Sequence, residues 1–115
     1  MPSVCFVCLG NICRSPMAQA VFEHLLAERG LDDHWSVDSA GTGGWHIGEP
    51  PDPRTLAVLR RHGISTDQVA RGLQASDFTA FDHLLAMDED NLRHLLDRAP
   101  EGCSAEINLL GDYHP

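Results

Sequence analysis

Apolar residues fall along this chain in two alternating rhythms, short continuous runs and longer stretches spaced at three and four. The alternation predicts strands and helices in turn. Val4-Cys5-Phe6-Val7 is short enough and rich enough in β-favouring types for a buried strand. Met17, Ala18, Val21, Phe22, Leu25 and Leu26 then trace a helix. Ser15 is its expected N-cap, Pro16 its first residue and Gly30 its stop. Trp35 to Ser39 alternates as a short strand, and Ala40 to Gly44 must be a loop. Gly48 to Pro53 is a second loop, closed by Asp52 as cap and Pro53 as helix start. Leu56, Val58 and Leu59 carry that helix to Gly63, with Arg60 and Arg61 on its wet side. A weak extended signal surrounds Val69-Ala70-Arg71, where Arg71 reads as a solvated surface arginine. Ser76-Asp77 starts a short helical turn, and Phe81 to Met87 reads as a third strand. Asp88-Glu89-Asp90-Asn91 opens a helix with Leu92, Leu95 and Leu96 inward; the helix dipole accounts for Asp88 and Asp90 without any chemistry. Ala105 to Leu110 is a last strand.

Strands alternating with helices imply a parallel sheet of about four strands covered on both faces, an α/β three-layer sandwich. Ligands of such sheets belong at the carboxyl ends of the strands, where Cys8, Ser39 and Asp88 fall. The first such end is the richest in chemistry. Cys8-Leu9-Gly10-Asn11-Ile12-Cys13-Arg14-Ser15 joins a strand to a helix start, where unpartnered N–H groups and the dipole favour an anion. Gly10 and Asn11 take left-handed backbone angles most easily, letting N–H groups from Leu9 to Ser15 converge as a nest. A cysteine between a helix N-terminus and a guanidinium is favoured as thiolate, hence as nucleophile. Arg14 supplies a planar fork for two phosphate oxygens, and Ser15 is placed to donate to the sulfur. The joint reading is a thiolate at Cys8 aimed at a phosphorus atom held by backbone amides and Arg14.

Composition narrows the partners. At 115 residues the chain is one domain able to bury a core, and its 43% hydrophobic and 22% charged residues are ordinary for a globular protein. The formal charge of −9 argues against nucleic acid or an anionic membrane, and it confines attraction for a phosphate to the loop. Met1-Pro2-Ser3 carries no basic residue and the apolar run after it is too short for a signal peptide, so a cytoplasmic location is expected. Cys5, Cys8, Cys13 and Cys103 have no histidines at zinc spacing, and no metal or cofactor is expected. Cys5-x-x-Cys8 matches a redox motif by pattern, but Cys5 reads better as a small core residue.

The segment Val7-Cys8-Leu9-Gly10-Asn11-Ile12-Cys13-Arg14-Ser15-Pro16-Met17-Ala18 resembles the opening of the low-molecular-weight protein tyrosine phosphatases. Asp38-Ser39-Ala40-Gly41-Thr42, Gly48-Glu49-Pro50-Pro51-Asp52-Pro53-Arg54, His62-Gly63-Ile64 and Ala86-Met87-Asp88 extend the resemblance over essentially the whole chain. It implies a flavodoxin-like topology and hydrolysis of phosphotyrosine, in a protein or a simple aryl phosphate, through a phosphocysteine at Cys8. It also implies that Ser39 bonds Asn11 to hold the loop, where the residues alone would equally let Ser39 end a strand. Trp45 has two readings, a tryptophan at the edge of the core and, by the resemblance, an aromatic wall for the substrate ring. Cys13 likewise either packs or forms a reversible disulfide with Cys8. The family's general acid stands in an Asp-Pro-Tyr loop before a last helix, and neither is found in residues 1–115. Residues 1–115 are therefore expected to be a shortened phosphatase domain, monomeric by default, and Asp112 is not taken as that acid. Three alternatives stand beside this reading: a noncatalytic phosphate-binding module, phosphoarginine removal, and arsenate reduction. The last would need cysteines after the third strand, where His83 to Ala99 has none.

Overall fold

All six residues of the first strand, β1 (Ser3–Cys8), are buried, which requires cover on both of its faces. The computed structural model, which describes residues 2–113, provides it. The order is β1, α1 (Arg14–Glu28), β2 (Ser36–Gly41), α2 (Pro53–Arg61), α3 (Asp77–Ala80), β3 (His83–Ala86), α4 (Glu89–Arg98) and β4 (Glu106–Leu109). Single 3-10 turns lie at Asp32–His34 and Leu110–Tyr113. The four strands are parallel in the order β2-β1-β3-β4, so this is the expected α/β sandwich. The chain leaves β1 toward β2 on one side, then crosses back to β3 on the other. That reversal opens a crevice beyond the carboxyl ends of β1 and β3.

Alternation along β1 splits the core in two. Cys5 and Val7, with Leu84, Ala86 and Ala40, pack against Phe78 of α3 and Leu95 of α4. Val4, Phe6 and Leu85 face α1, where Phe22 stands edge-on to Phe6 at 5.9 Å and to Trp35 at 5.4 Å. Each aromatic edge contact adds about 0.5–1.5 kcal/mol beyond the area it buries. Beside this cluster an apolar groove runs between Phe22, Trp35 and the returning turn, with Leu110 and Tyr113 on its far wall. Val21 and Leu25 are exposed on the sheet-distal side of α1, where with Met17 they line a groove facing Val58 and Leu59 of α2. Leu96 of α4, expected inward, is also exposed.

The helix ends follow local chemistry. Gly30 and Gly63, with φ of 68° and 73°, close α1 and α2 in the same way. In each, the glycine N–H and the next N–H reach back to carbonyls of the last turn: Gly30 to Ala27, Leu31 to Leu26, Gly63 to Arg60 and Ile64 to Leu59. Asp52 caps α2 by accepting the Arg54 N–H at 2.8 Å, with Pro53 first in the helix. The start of α1 departs from expectation. The helix begins at Arg14, Cys13 occupies the cap position, and Ser15 and Pro16 lie inside the first turn. The Ser15 hydroxyl is engaged elsewhere, as described below. Among the described residues no helix is long and apolar enough to cross a membrane.

Candidate active site

The loop from Cys8 to Ser15 fills the crevice, and its carbonyls are turned outward. Thr42 N–H bonds Cys8 O at 2.9 Å, Gly43 N–H bonds Leu9 O at 2.8 Å, Asp52 N–H bonds Ile12 O at 2.7 Å and Met17 N–H bonds Cys13 O at 3.2 Å. With the acceptors tied to the surroundings, the N–H groups are left to the inside. Among the described residues no acceptor meets the N–H of Gly10, Ile12 or Cys13. Asn11 has a φ of 56°, the one positive φ among the described non-glycine residues, and this is the turn that makes the loop concave. Gly41, at the end of β2, lies directly behind it: a Cβ there would stand 2.8 Å from Leu9 O and 3.1 Å from the Gly10 carbonyl carbon. That glycine was read in the sequence only as part of a loop.

Cys8 Sγ receives two donors. Asn11 N–H points to it at 3.3 Å, and Ser15 Oγ lies 2.9 Å away. Ser15 Oγ is itself part of a longer hydrogen-bond chain. Asn11 Nδ2 has two hydrogens, and donates one to Ser15 Oγ at 2.8 Å and the other to Ser39 Oγ at 2.9 Å. Ser39 Oγ also accepts from Gln68 Nε2 and donates its own hydrogen to Gln19 Oε1 at 2.6 Å. Ser15 Oγ accepts from Asn11 and keeps its own hydrogen, with Cys8 Sγ within its reach at 2.9 Å. Asn11, Ser15, Gln19 and Ser39 are all buried. Gln19 and Gln68 were not singled out from the sequence. A polar stripe at Ser15, Gln19 and Glu23, four residues apart on α1, was the available signal.

Arg14 is exposed at the loop's end and its Nη1 lies 2.6 Å from Asp88 Oδ2. Asp88 sits just past β3 and is also the N-cap of α4, accepting the Asn91 N–H at 2.8 Å. That N–H bond and the Arg14 guanidinium hold the Asp88 carboxyl below the usual carboxylate range. The dipole explanation of Asp88 was therefore incomplete: one oxygen caps the helix and the other aims the arginine. Cys8, Ile12, Cys13 and Arg14 line one side of an open cleft of about 290 Å³, and Trp45 and His46 line the other. Trp45 is 72% exposed and its ring lies against Gly43, where a Cβ would sit 2.0 Å from it.

Arg71 is not a solvated arginine. It is half-buried, forked on both oxygens of Asp77 at 3.0 Å and bonded through Nε to Asp38 at 3.0 Å. Burial opposes its charge, but the bonds to Asp77 and the nearby carboxylates more than offset that and raise its pKa. Cys5, behind it, is pushed up by burial, only partly opposed by Arg71, and stays a thiol. This removes Cys5 from chemistry. Asp112 is exposed in the turn whose Leu110 and Tyr113 return over the sheet face beside Val4, Phe6 and His83.

Comparison with known proteins agrees with this geometry. The family described as low molecular weight phosphotyrosine protein phosphatase matches residues 3–115. The protein of that name from Schizosaccharomyces pombe is 52% identical over 111 residues, covering 96% of this chain and 71% of its own length. The Homo sapiens protein is 50% identical over 115 residues, covering 98% and 73%. The crystal structure of YfkJ from Bacillus subtilis aligns with a TM-score of 0.94 at 49% identity, over 99% of this chain and 72% of that one. With loop, sheet order and sequence in accord, this chain belongs to the low molecular weight phosphotyrosine protein phosphatase family.

Proposed function

We propose that the chain hydrolyses phosphotyrosine in proteins, with Cys8 as nucleophile. The observation that carries the reading is the donor count at Cys8 Sγ: Ser15 Oγ at 2.9 Å and Asn11 N–H at 3.3 Å, inside a loop with unpaired N–H groups and Arg14 at its rim. The thiolate attacks phosphorus in line. An S–P bond forms as the P–O bond to the ring breaks, and the departing phenolate takes a proton from water. Water then attacks the phosphocysteine, releasing inorganic phosphate and restoring the thiolate. The amides from Leu9 to Ser15 and the Arg14 guanidinium hold the equatorial oxygens, where charge builds in both steps. Ser15 steadies the sulfur first as nucleophile and then as leaving group. Asn11 and Ser39 hold the loop in its concave form, and the exposed Trp45 ring supplies a wall for the phenol.

The test compares an activated aryl phosphate with a phosphotyrosine peptide, using Cys8→Ser and Arg14→Ala. Turnover of the activated ester that vanishes with Cys8→Ser and falls by about 10²-fold or more with Arg14→Ala is expected. A phenolate of pKa about 10 leaves slowly without a positioned acid, worth roughly 10²–10⁴-fold, so the ratio of the two substrates measures how well the leaving group is protonated. Oxyanion binding without turnover of either would instead make this a phosphate-binding module.

Cys13 lines the same cleft as Cys8, and neither is in a disulfide. We infer that peroxide oxidises Cys8 to a sulfenic acid, which the Cys13 thiol converts to a disulfide with loss of water. Peroxide-inactivated enzyme analysed by mass spectrometry should carry a Cys8–Cys13 link and regain activity with dithiothreitol. Irreversible loss with no such link would remove the idea.

A further inference from the structure

Cys13, Met17, Val21 and Leu25 are spaced four apart and form one row along α1. The row leads out of the cleft. Cys13 lines the cleft itself, while Met17, Val21 and Leu25 form one wall of the groove of about 470 Å³ between α1 and α2. Val58, Leu59 and His62 of α2 form the other wall. The Asp52 N–H bond to Ile12 O brings the start of α2 against the loop, so the groove opens beside the cleft. Val21 and Leu25 are 36% and 43% exposed although apolar and at mid-helix. The α2 wall is basic. Among the described α-helices, α2 is the one whose arginines outnumber its acids, with Arg54, Arg60 and Arg61 and no carboxylate. Arg54 and Arg61 stand four before and three after Val58 and flank it at the groove's edge. Asp52 holds Arg54, but among the described residues no carboxylate pairs with Arg61.

We propose that this groove docks the substrate protein beyond its phosphotyrosine, with apolar side chains over Met17, Val21 and Leu25 and an acidic one on Arg61. The role rests on the reading of Cys8 given above, since the flank reaches the groove only when the phosphate sits in the loop. The lengths agree. Met17 lies about 6 Å and Leu25 about 18 Å along the helix from Cys13, at about 1.5 Å per residue. An extended segment advances about 3.3 Å per residue, so residues about two to six from the phosphotyrosine lie over the groove. A second copy of this chain suits the surface less well: two molecules at −9 repel, and the edges that would meet are both basic.

The experiment is run at about 0.15 M salt, where the Debye length is roughly 8 Å and Arg61 counts for more than the distant charges. Its substrates are an activated aryl phosphate, a short phosphotyrosine peptide, and peptides extended by about six residues of leucine and glutamate on one side or the other of the phosphotyrosine. One extended peptide should exceed the short one in kcat/KM by about fivefold to tenfold, mainly through KM. Val21→Asp and Leu25→Asp should abolish that gain and leave the ester and the short peptide unchanged, which also shows that the fold is intact. Arg61→Glu should lower the ratio of the glutamate peptide to its lysine counterpart by roughly threefold to tenfold. Arg60→Glu makes the same change in net charge on the other side of α2 and should leave that ratio near the parent. Equal rates for the extended and short peptides, or equal shifts from Arg60→Glu and Arg61→Glu, overturn the proposal. So does a parent dimer that Val21→Asp makes monomeric, which would give the groove to a second copy. A parent inactive toward the ester overturns this inference together with the catalytic reading; one that is active but indifferent to the extension overturns this inference only.

Discussion

Asp88 serves two partners with one carboxylate, and chemistry can separate them. Asparagine caps helices about as well as aspartate but brings no charge to Arg14. Asp88→Asn should keep the melting temperature near the parent while raising KM for aryl phosphates several-fold, because the guanidinium loses its aim. Asp88→Ala should in addition cost about 1 kcal/mol of stability. The pH dependence has a definite sign. A carboxyl whose folded-state pKa lies below its unfolded value stabilises the fold above that range and loses the contribution as pH falls through it. The stability gap between Asp88→Ala and the parent should therefore be full at neutral pH and close below about pH 4. Chemical denaturation across pH 2.5–7, a range chosen to bracket the ordinary carboxylate value of about 4, measures it; a gap that widens on acidification would show that the carboxylate is not stabilising. The pairing was invisible in the sequence for a plain reason: Arg14 and Asp88 stand 74 residues apart and meet only because β3 lies beside β1. Cys8, Asn11 and Ser15 were legible because their chemistry is local to one turn.

Strands and helices were legible in order because each carries its own period, and the misreadings fall where tertiary contact replaced it. Ser15 looks like a cap, but a free hydroxyl so close to Cys8 is better used on the sulfur, so Cys13 starts the helix without a side-chain cap. Residues 64–75 have no period to read, since ion pairs and single main-chain bonds hold them. Arg71 was misjudged for the same reason, its acidic partners lying on β2 and α3. The end of β2 was read as loop from its glycines, yet Ala40 and Gly41 pair with Val7 and Cys8 in the ladder. There the glycine is required by what lies against it. Gly41→Ala would drive a methyl into the Leu9 and Gly10 backbone, which cannot rotate away as a side chain could. The expected result is a loss of kcat/KM of about tenfold or more, since small displacements of a preorganised site are costly. Gly43→Ala instead meets only the exposed Trp45 ring, which can swing aside, so it should alter KM and spare kcat. Equal effects of the two substitutions on kcat would mean that the backbone of the loop does not rest on Gly41.

The charge of the whole molecule opposes the chemistry of its site, and salt separates the two. The protein carries −9 over principal extents of 41 × 32 × 27 Å, while the attraction for phosphate proposed above comes from one loop and Arg14. At about 0.01 M salt the Debye length is roughly 30 Å, so an approaching phosphopeptide feels nearly the whole charge; at about 0.15 M it is roughly 8 Å, and only the rim counts. Contact between phosphate and loop is made inside that distance and is screened far less. For an acidic phosphotyrosine peptide, kcat/KM should therefore rise several-fold between those salt concentrations, for a basic one it should fall, and kcat should hold steady for both. A decline with the acidic peptide would mean that attraction by the site reaches beyond the rim and dominates the encounter. The opposite slopes for the two peptides are the decisive feature, because a general salt effect on the fold would move both the same way. Selection among phosphorylated segments by their charge then belongs to the surface, while the step at phosphorus belongs to the loop, and substitutions that neutralise acids far from the cleft should flatten the salt dependence without changing kcat.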